Sequence, residues 1–317
     1  MKRLLTVQDI SCVGKCSLTV ALPIISAMGV EACPLPTALL SAHTAFSHFT
    51  FRDLTDEIPG IEKAWEQEGI KFDTIESGYL GSVRQVELVR ELGERFRKNA
   101  DCLQIVDPVM ADHGKLYKGF TQDFAEAMKK LCASADVIVP NLTEACLLTG
   151  REYRSDADEA FWEEVLKDLG KLGCSDVIIT GFQRADGIGV MSLHKEKGHQ
   201  ICRTYLNERL PESMHGTGDI FASVLSGALT LGKPLEDAQK LAVDFTLECI
   251  RKTVEDRERV FYGVNFEQAI PMLISRLCGK CDSSLRRNGR QYNGEERKRS
   301  KNKCNAYSGS FEDQLHA

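Results

Sequence analysis

No stretch of the 317 residues approaches 18 consecutive apolar side chains, which excludes a membrane-spanning helix. Met1-Lys2-Arg3-Leu4-Leu5-Thr6-Val7 begins like an export signal, but Gln8 and Asp9 cut its apolar run short, and a cytoplasmic protein is expected. Zinc sites lack their second half: Cys278-Gly279-Lys280-Cys281 is the one C-x-x-C, with no further pair of Cys or His to complete it. The 12 cysteines have no repeated spacing and read as small thiols in a reducing compartment. Also missing are a G-x-x-x-x-G-K-[ST] phosphate loop, the protein-kinase catalytic set, and a G-x-G-x-x-G opening a helix after an N-terminal strand. Those absences exclude two large nucleotide-binding architectures and weaken a dinucleotide reading. Aromatics make up only 7%, and among the basic charges of the tail stands a single one, Tyr292, where stacking on nucleic acid would call for several.

What is present is an ordinary soluble composition, 43% hydrophobic and 27% charged. Charge is unevenly divided. From Gly279 onward nine Lys/Arg face five Asp/Glu, a net of +4, and the whole chain is −6, leaving −10 on residues 1–278. An acidic body argues against nucleic acid as a partner. Residues 279–317 are basic and poor in apolar side chains, and are expected to be a disordered extension. Residues 1–278 carry no linker and are expected to form one domain.

Within that domain, strand-length apolar runs occur at Leu4–Val7, Val30–Leu35, Thr74–Tyr79, Leu103–Val106, Val137–Val139 and Val177–Thr180. Helical periodicity lies between them, at Val83–Phe96, Phe120–Cys132, Glu159–Leu172, Ile220–Leu231 and Leu235–Cys249. This alternation predicts an α/β fold: a central, mostly parallel sheet with helices on both faces. Gly187–Leu193 and His199–Tyr205 predict an appended antiparallel pair.

Ligands of such sheets sit beyond the carboxyl ends of the strands. The sharpest junction is Met214-His215-Gly216-Thr217-Gly218-Asp219, which runs into the apolar helix from Ile220. Two glycines let the backbone turn tightly, the following helix start offers N–H groups and dipole to an anion, and a carboxylate there can take a proton from a hydroxyl. A helix merely capped by Asp219 fits equally well. Asp107-Pro108-Val109-Met110 and Pro140-Asn141-Leu142-Thr143-Glu144 then place acids and an amide at successive strand ends, suited to magnesium and phosphates. Taken singly, a turn residue before proline and a helix capping box explain them better; their recurrence at successive strand ends favours the site.

The order Ser41-Ala42-His43-Thr44, Ser77-Gly78-Tyr79-Leu80-Gly81-Ser82, Asp107-Pro108-Val109-Met110, Pro140-Asn141-Leu142-Thr143-Glu144 and Gly216-Thr217-Gly218-Asp219 resembles the pyridoxal kinases of the ribokinase-like superfamily, over roughly residues 2–275. The resemblance implies a ribokinase-like fold and ATP-dependent phosphorylation of the 5′-hydroxymethyl group of a vitamin B6 vitamer. It implies Asp219 as base, with Gly216, Thr217 and Gly218 as the N–H cradle. Asp107, Asn141, Glu144, Thr180 and Gly181 fall on the ATP side, with Asp107 and Glu144 holding magnesium, Glu144 through water. Thr44, Tyr79 and Ser11 fall on the substrate side, Asp9 competing with Ser11; Tyr79 reads equally as a packed strand end, and His215, a departure from the apolar residues or cysteine of relatives, is a further candidate to reach the bound ring. Magnesium, a monovalent cation such as potassium and a homodimer complete the implied set. His43 reads as a structural histidine. The N-terminal loop is shifted from the family pattern, which leaves the vitamer preference open. A hydroxymethylpyrimidine kinase shares the same chemistry. A sugar kinase is disfavoured because the chain has no Gly-Gly, and intact Asp219 with its glycines disfavours a non-catalytic binding protein.

Overall fold

The computed structural model describes residues 1–210 and 214–277; the C-x-x-C at Cys278–Cys281 and the basic extension expected over 279–317 lie outside the described residues. The chain forms β1 (Arg3–Ser11), α1 (Leu18–Ala27), β2 (Glu31–Leu40), β3 (Phe51–Asp53), α2 (Ile58–Gln67), β4 (Thr74–Ser77), α3 (Val83–Arg95) and β5 (Leu103–Val106). A small hairpin, β6 (Ala111–Asp112) and β7 (Lys115–Leu116), precedes α4 (Gln122–Ser134), β8 (Val137–Ile138), α5 (Leu142–Thr149) and α6 (Glu159–Leu169). Three long strands follow, β9 (Asp176–Arg184), β10 (Gly187–Glu196) and β11 (His199–Asn207), then α7 (Thr217–Thr230), α8 (Leu235–Glu255) and α9 (Phe266–Leu277).

The main sheet runs β11-β10-β9-β8-β5-β4-β1-β2-β3. It is parallel from β9 across to β2, and the predicted antiparallel pair is β10–β11 at one edge. Alternation along the strands explains the two helical layers. Ile105 and Ile178 join an apolar cluster with Ile220, Val224 and Phe245. Their neighbours Val106 and Ile179 join another with Leu92, Met128 and Leu166. Accordingly α7 packs on α1 and α8, and α8 on α9, while α3, α4, α5 and α6 pack in succession. No helix among the described residues is long and apolar enough to cross a membrane.

Two boundaries differ from expectation in ways that bear on function. The fourth strand stops at Ser77, which frees Gly78 and Tyr79 for the loop at the carboxyl edge. The helix expected from Ile220 begins at Thr217, with Gly216 as N-cap, so Asp219 lies inside its first turn.

Candidate active site

Gly216 adopts φ 82°, a left-handed conformation that favours glycine. A Cβ there would also lie 2.2 Å from the carbonyl oxygen of Lys15, so backbone and space both demand glycine. No side chain caps α7, and its first N–H groups have no helical partners by construction. A Cβ on Gly218 would meet nothing within 4 Å; the amides of this turn border open space. Asp219 is no cap. Its Oδ2 accepts from the backbone N–H of Ser17 at 2.9 Å, across to the loop between β1 and α1. Ser17 holds φ 47°, uncommon for a residue with a side chain, and that conformation aims its N–H at the carboxylate. Lys15 anchors the loop from below, donating to Asn265 Oδ1 at 3.0 Å and Glu267 Oε2 at 2.9 Å. Burial pushes the Asp219 carboxyl up to about 6, opposed by the Ser17 N–H and reinforced by the charge of Asp9.

Asp107 follows the last residue of β5 in a buried position. Burial raises its carboxyl well above the usual range, and the charges of Glu144, Asp219 and Glu76 push the same way. Asn141 and Glu144 form a reciprocal capping box on α5: Asn141 Oδ1 accepts from Glu144 N at 3.0 Å, and Glu144 Oε2 from Asn141 N at 2.9 Å. Both also reach the segment after Asp107. Glu144 Oε1 accepts from Met110 N at 3.1 Å, and Asn141 Nδ2 donates to the Ala111 carbonyl at 2.8 Å. The box thus ties the loops of β5 and β8 together. Burial raises Glu144 to about 8, against the backbone N–H groups of Asn141, Met110 and Ala111 that its carboxylate accepts.

Ten of the expected residues line one cleft of about 480 Å³: Asp107, Asn141, Glu144, Thr180, Gly181, His215, Gly216, Thr217, Gly218 and Asp219. One side of its remaining wall is apolar, with Val190, Met214, Val243, Leu247 and Ile250, while Asp112, Tyr117, Asn207, Glu208 and Thr246 add polar groups. An acidic and amide-rich end joined to an apolar end has the chemistry of a nucleotide site, phosphates at the first and base at the second. Asp107 suits a magnesium–phosphate assembly, since no group among the described residues donates a hydrogen bond to its carboxylate, and magnesium takes one or two carboxylates, waters and substrate oxygens. No group of three or more potential ligands is arranged for a metal among the described residues, so such an ion needs the phosphates to complete its shell.

Ser11, Thr44 and Tyr79 do not line this cleft. Ser11 is buried, its hydroxyl 3.5 Å from Asp9 Oδ2. Thr44 is exposed on the loop after β2, and Tyr79 packs its half-buried ring 5.8 Å from Phe120. His215 stands between the two regions, its ring 5.3 Å from that of His43. His43 Nδ1 accepts from Ala45 N at 3.1 Å, which supports its structural reading. Sequence reasoning missed Ser17, Lys15, Glu76, Asp112, Tyr117 and the α8 wall. Only the last had a signal, a helical apolar stripe indistinguishable from core.

A family model described as phosphomethylpyrimidine kinase matches residues 22–261. The chain belongs to that family. The solved structure of a pyridoxal kinase from Lactobacillus plantarum is 35% identical, with a TM-score of 0.79 over 87% of this chain and 98% of the other. A Bacteroides thetaiotaomicron protein, provisionally assigned as a phosphomethylpyrimidine kinase and solved with pyridoxal, is 38% identical at a TM-score of 0.77, covering 86% and 95%. Among curated proteins, pyridoxal kinase of Arabidopsis thaliana is 28% identical over 245 residues, 74% of this chain and 77% of that protein. The chain is a kinase with the ribokinase-like fold of these relatives.

Proposed function

We propose that the protein is a pyridoxal kinase, transferring the γ-phosphoryl group of ATP to the 5′-hydroxymethyl group of a B6 vitamer. One observation carries the reading: Asp219, raised to about 6, stands in the same helical turn as uncapped N–H groups that open on the nucleotide-shaped cleft. The pyridoxal held by the Bacteroides relative supports the choice of acceptor. In this reading Asp219 takes the proton of the attacking hydroxyl, and the N–H groups of Gly216, Thr217 and Gly218 meet the charge of the transferred group. Asp107 directly, and Glu144 through water, would hold magnesium, which when bound neutralises phosphate charge. Thr180 and Gly181 take phosphate oxygens, and Asn141 positions both acidic loops. Ser11, Thr44, Tyr79 and His215 are assigned to the vitamer. A monovalent cation such as potassium is proposed to assist.

A coupled ADP-release assay with pyridoxal, pyridoxamine, pyridoxine, hydroxymethylaminopyrimidine and ribose tests the assignment. ADP should appear with the vitamers, require magnesium and rise with potassium. Turnover confined to the pyrimidine would install the thiamine-pathway reading, and ADP with none of the five would refute a kinase of this class.

We further propose a cytoplasmic homodimer. The described cysteines are free thiols, in keeping with a reducing compartment. The β2–β3 edge exposes Leu39, Phe49 and Phe51 at 43%, 42% and 50%, an apolar edge that a monomer would leave open to aggregation. Sedimentation equilibrium should give twice the chain mass, and Phe51→Glu should shift it toward one; a wild-type monomer at micromolar concentration would refute the dimer.

A further inference from the structure

The connection between α8 and α9, residues 256–265, has no part in the reaction derived above, yet it is held as firmly as a core element. Asn265 is 6% exposed. Its backbone N–H donates to Thr253 Oγ1 at 2.7 Å and its Nδ2 to Asp256 Oδ2 at 2.8 Å, which ties the far end of the connection back to the end of α8. The described residues that line the cleft reach Ile250 on α8 and include none of 256–265.

Fixed in this way, the connection grips two loops on the acceptor side. The first is 12–17, whose Ser17 N–H reaches Asp219 at 2.9 Å. Lys15 donates from that loop to Asn265 Oδ1 at 3.0 Å and Glu267 Oε2 at 2.9 Å, with its ammonium 5.8 Å from the centre of the Phe266 ring. A Cβ on Gly263 would stand 2.4 Å from the Lys15 Cβ, so the two segments approach as closely as glycine permits. The second loop is 41–50, which carries Thr44. Phe46 closes a turn there, its N–H donating to the His43 carbonyl at 2.9 Å. Its ring lies 4.8 Å from that of Phe261 and 5.1 Å from that of Tyr262. The loops are also joined to each other, His43 N donating to the Val13 carbonyl at 2.8 Å. Irregular segments of this kind open at little cost unless something packs against them. Core burial does not account for Phe261, which is 64% exposed; its contact with Phe46 does.

We propose that the α8–α9 connection is the positioning element of the acceptor half of the site, holding the tether of Asp219 through Lys15 and the turn of Thr44 through Phe261. The proposal rests on the B6-kinase reading, in which Asp219 is the base and Thr44 meets the vitamer. It makes Lys15 and Phe261 positioning residues that govern vitamer turnover and leave the nucleotide end alone.

The test uses the full chain with pyridoxal as acceptor. Lys15→Met keeps the stem, removes the ammonium and should lower kcat about tenfold or more, as small misplacements propagated from outside the chemistry do. Phe261→Ala should raise KM for pyridoxal about threefold to tenfold, the worth of an aromatic pair, and Phe261→Tyr, which keeps the ring, should restore it. In Lys15→Met and Phe261→Ala the Kd of ATP by calorimetry should stay within about twofold of wild type. Near-native kcat in Lys15→Met, an unchanged KM in Phe261→Ala, or ATP affinity lost in step with turnover would each overturn the proposal. Truncating so exposed a ring opens no core cavity, so misfolding of Lys15→Met does not shield it. A wild type that phosphorylates no vitamer would count against the kinase reading instead. Hydrogen exchange then decides on the connection: amides of 12–17 should exchange faster in Lys15→Met and those of 41–46 faster in Phe261→Ala, with 141–149 unchanged in both. Equal exchange of the two loops in variants and wild type would overturn it.

Discussion

Asp219→Asn should lower kcat by about 10²–10⁴-fold, the usual worth of a positioned general base, while the dissociation constant for ATP stays within about twofold of wild type. The asparagine keeps the size of the side chain and an oxygen able to accept from the Ser17 N–H, now at 2.9 Å from Oδ2, so the loop between β1 and α1 keeps its tether. Only the proton acceptor is removed. The same group sets a pH signature. A carboxyl raised to about 6 by burial must be ionised to act as base, so wild-type kcat/KM should fall about tenfold per pH unit below 6, because this parameter reports the free enzyme. In Asp219→Asn the residual rate should lose that limb. Rates from pH 5 to 8 with nucleotide binding by titration calorimetry provide both readouts. A variant with near-native kcat, or one that retains the limb near 6, would displace Asp219 from the role of base.

The parts of this site that were legible share one property: their chemistry is contiguous. Gly216, Thr217, Gly218 and Asp219 carry turn, amides and acid in four residues, and Asp107-Pro and Pro-Asn141-x-x-Glu144 repeat one strand-end plan at successive strands of the sheet. The capping reading of Asn141 and Glu144 is present in the structure as well; it coexists with a place in the cleft, because a box that bonds Met110 and Ala111 also fixes the loop after Asp107. Asp219, by contrast, is not a cap, and only the helix start at Thr217 shows it. What was illegible depends on long-range pairing. Ser17 meets Asp219 across 202 residues and Lys15 meets Asn265 across 250, and no local pattern announces either. Helix α1 was hidden by Pro23 at its centre and by an apolar run that reads as strand as easily as helix. β3 has three residues and borrows its conformation from β2, so it has no periodicity of its own. The apolar wall from α8 serves core and cleft with one stripe, and spacing cannot separate the two uses.

Glu76 is the other acid that sequence alone did not bring forward, and it carries the largest expected effect on stability. It is 1% exposed on β4 in the middle of the sheet, in register with Thr6 of β1 and Ile105 of β5. Gln8 Nε2 donates to Thr6 Oγ1 at 2.7 Å and lies 3.5 Å from Glu76 Oε2. Burial pushes the Glu76 carboxyl up to about 7, against the hydrogen bonds from Thr6 and Gln8 and together with the charge of Asp219. The sign follows from which state holds the proton. The folded chain keeps it up to about pH 7, whereas the unfolded chain releases it near 4.5. This group's contribution is therefore fully present below about 4.5 and is lost as pH rises through 7. At about 1.4 kcal/mol for each tenfold difference in proton affinity between the two states, raising the pH from 5 to 8 should cost wild type about 2–3 kcal/mol that Glu76→Gln, neutral throughout and able to accept from Gln8, does not lose. Urea unfolding of both proteins at pH 5, 6.5 and 8 isolates the effect, since every other titrating group is common to the two and cancels in the difference. The midpoints should lie close at pH 5 and diverge with the variant the more stable at pH 8. Curves that run parallel across the range would mean that Glu76 titrates alike in both states, and that the acid beneath Asp219 is no more costly to ionise than one in water.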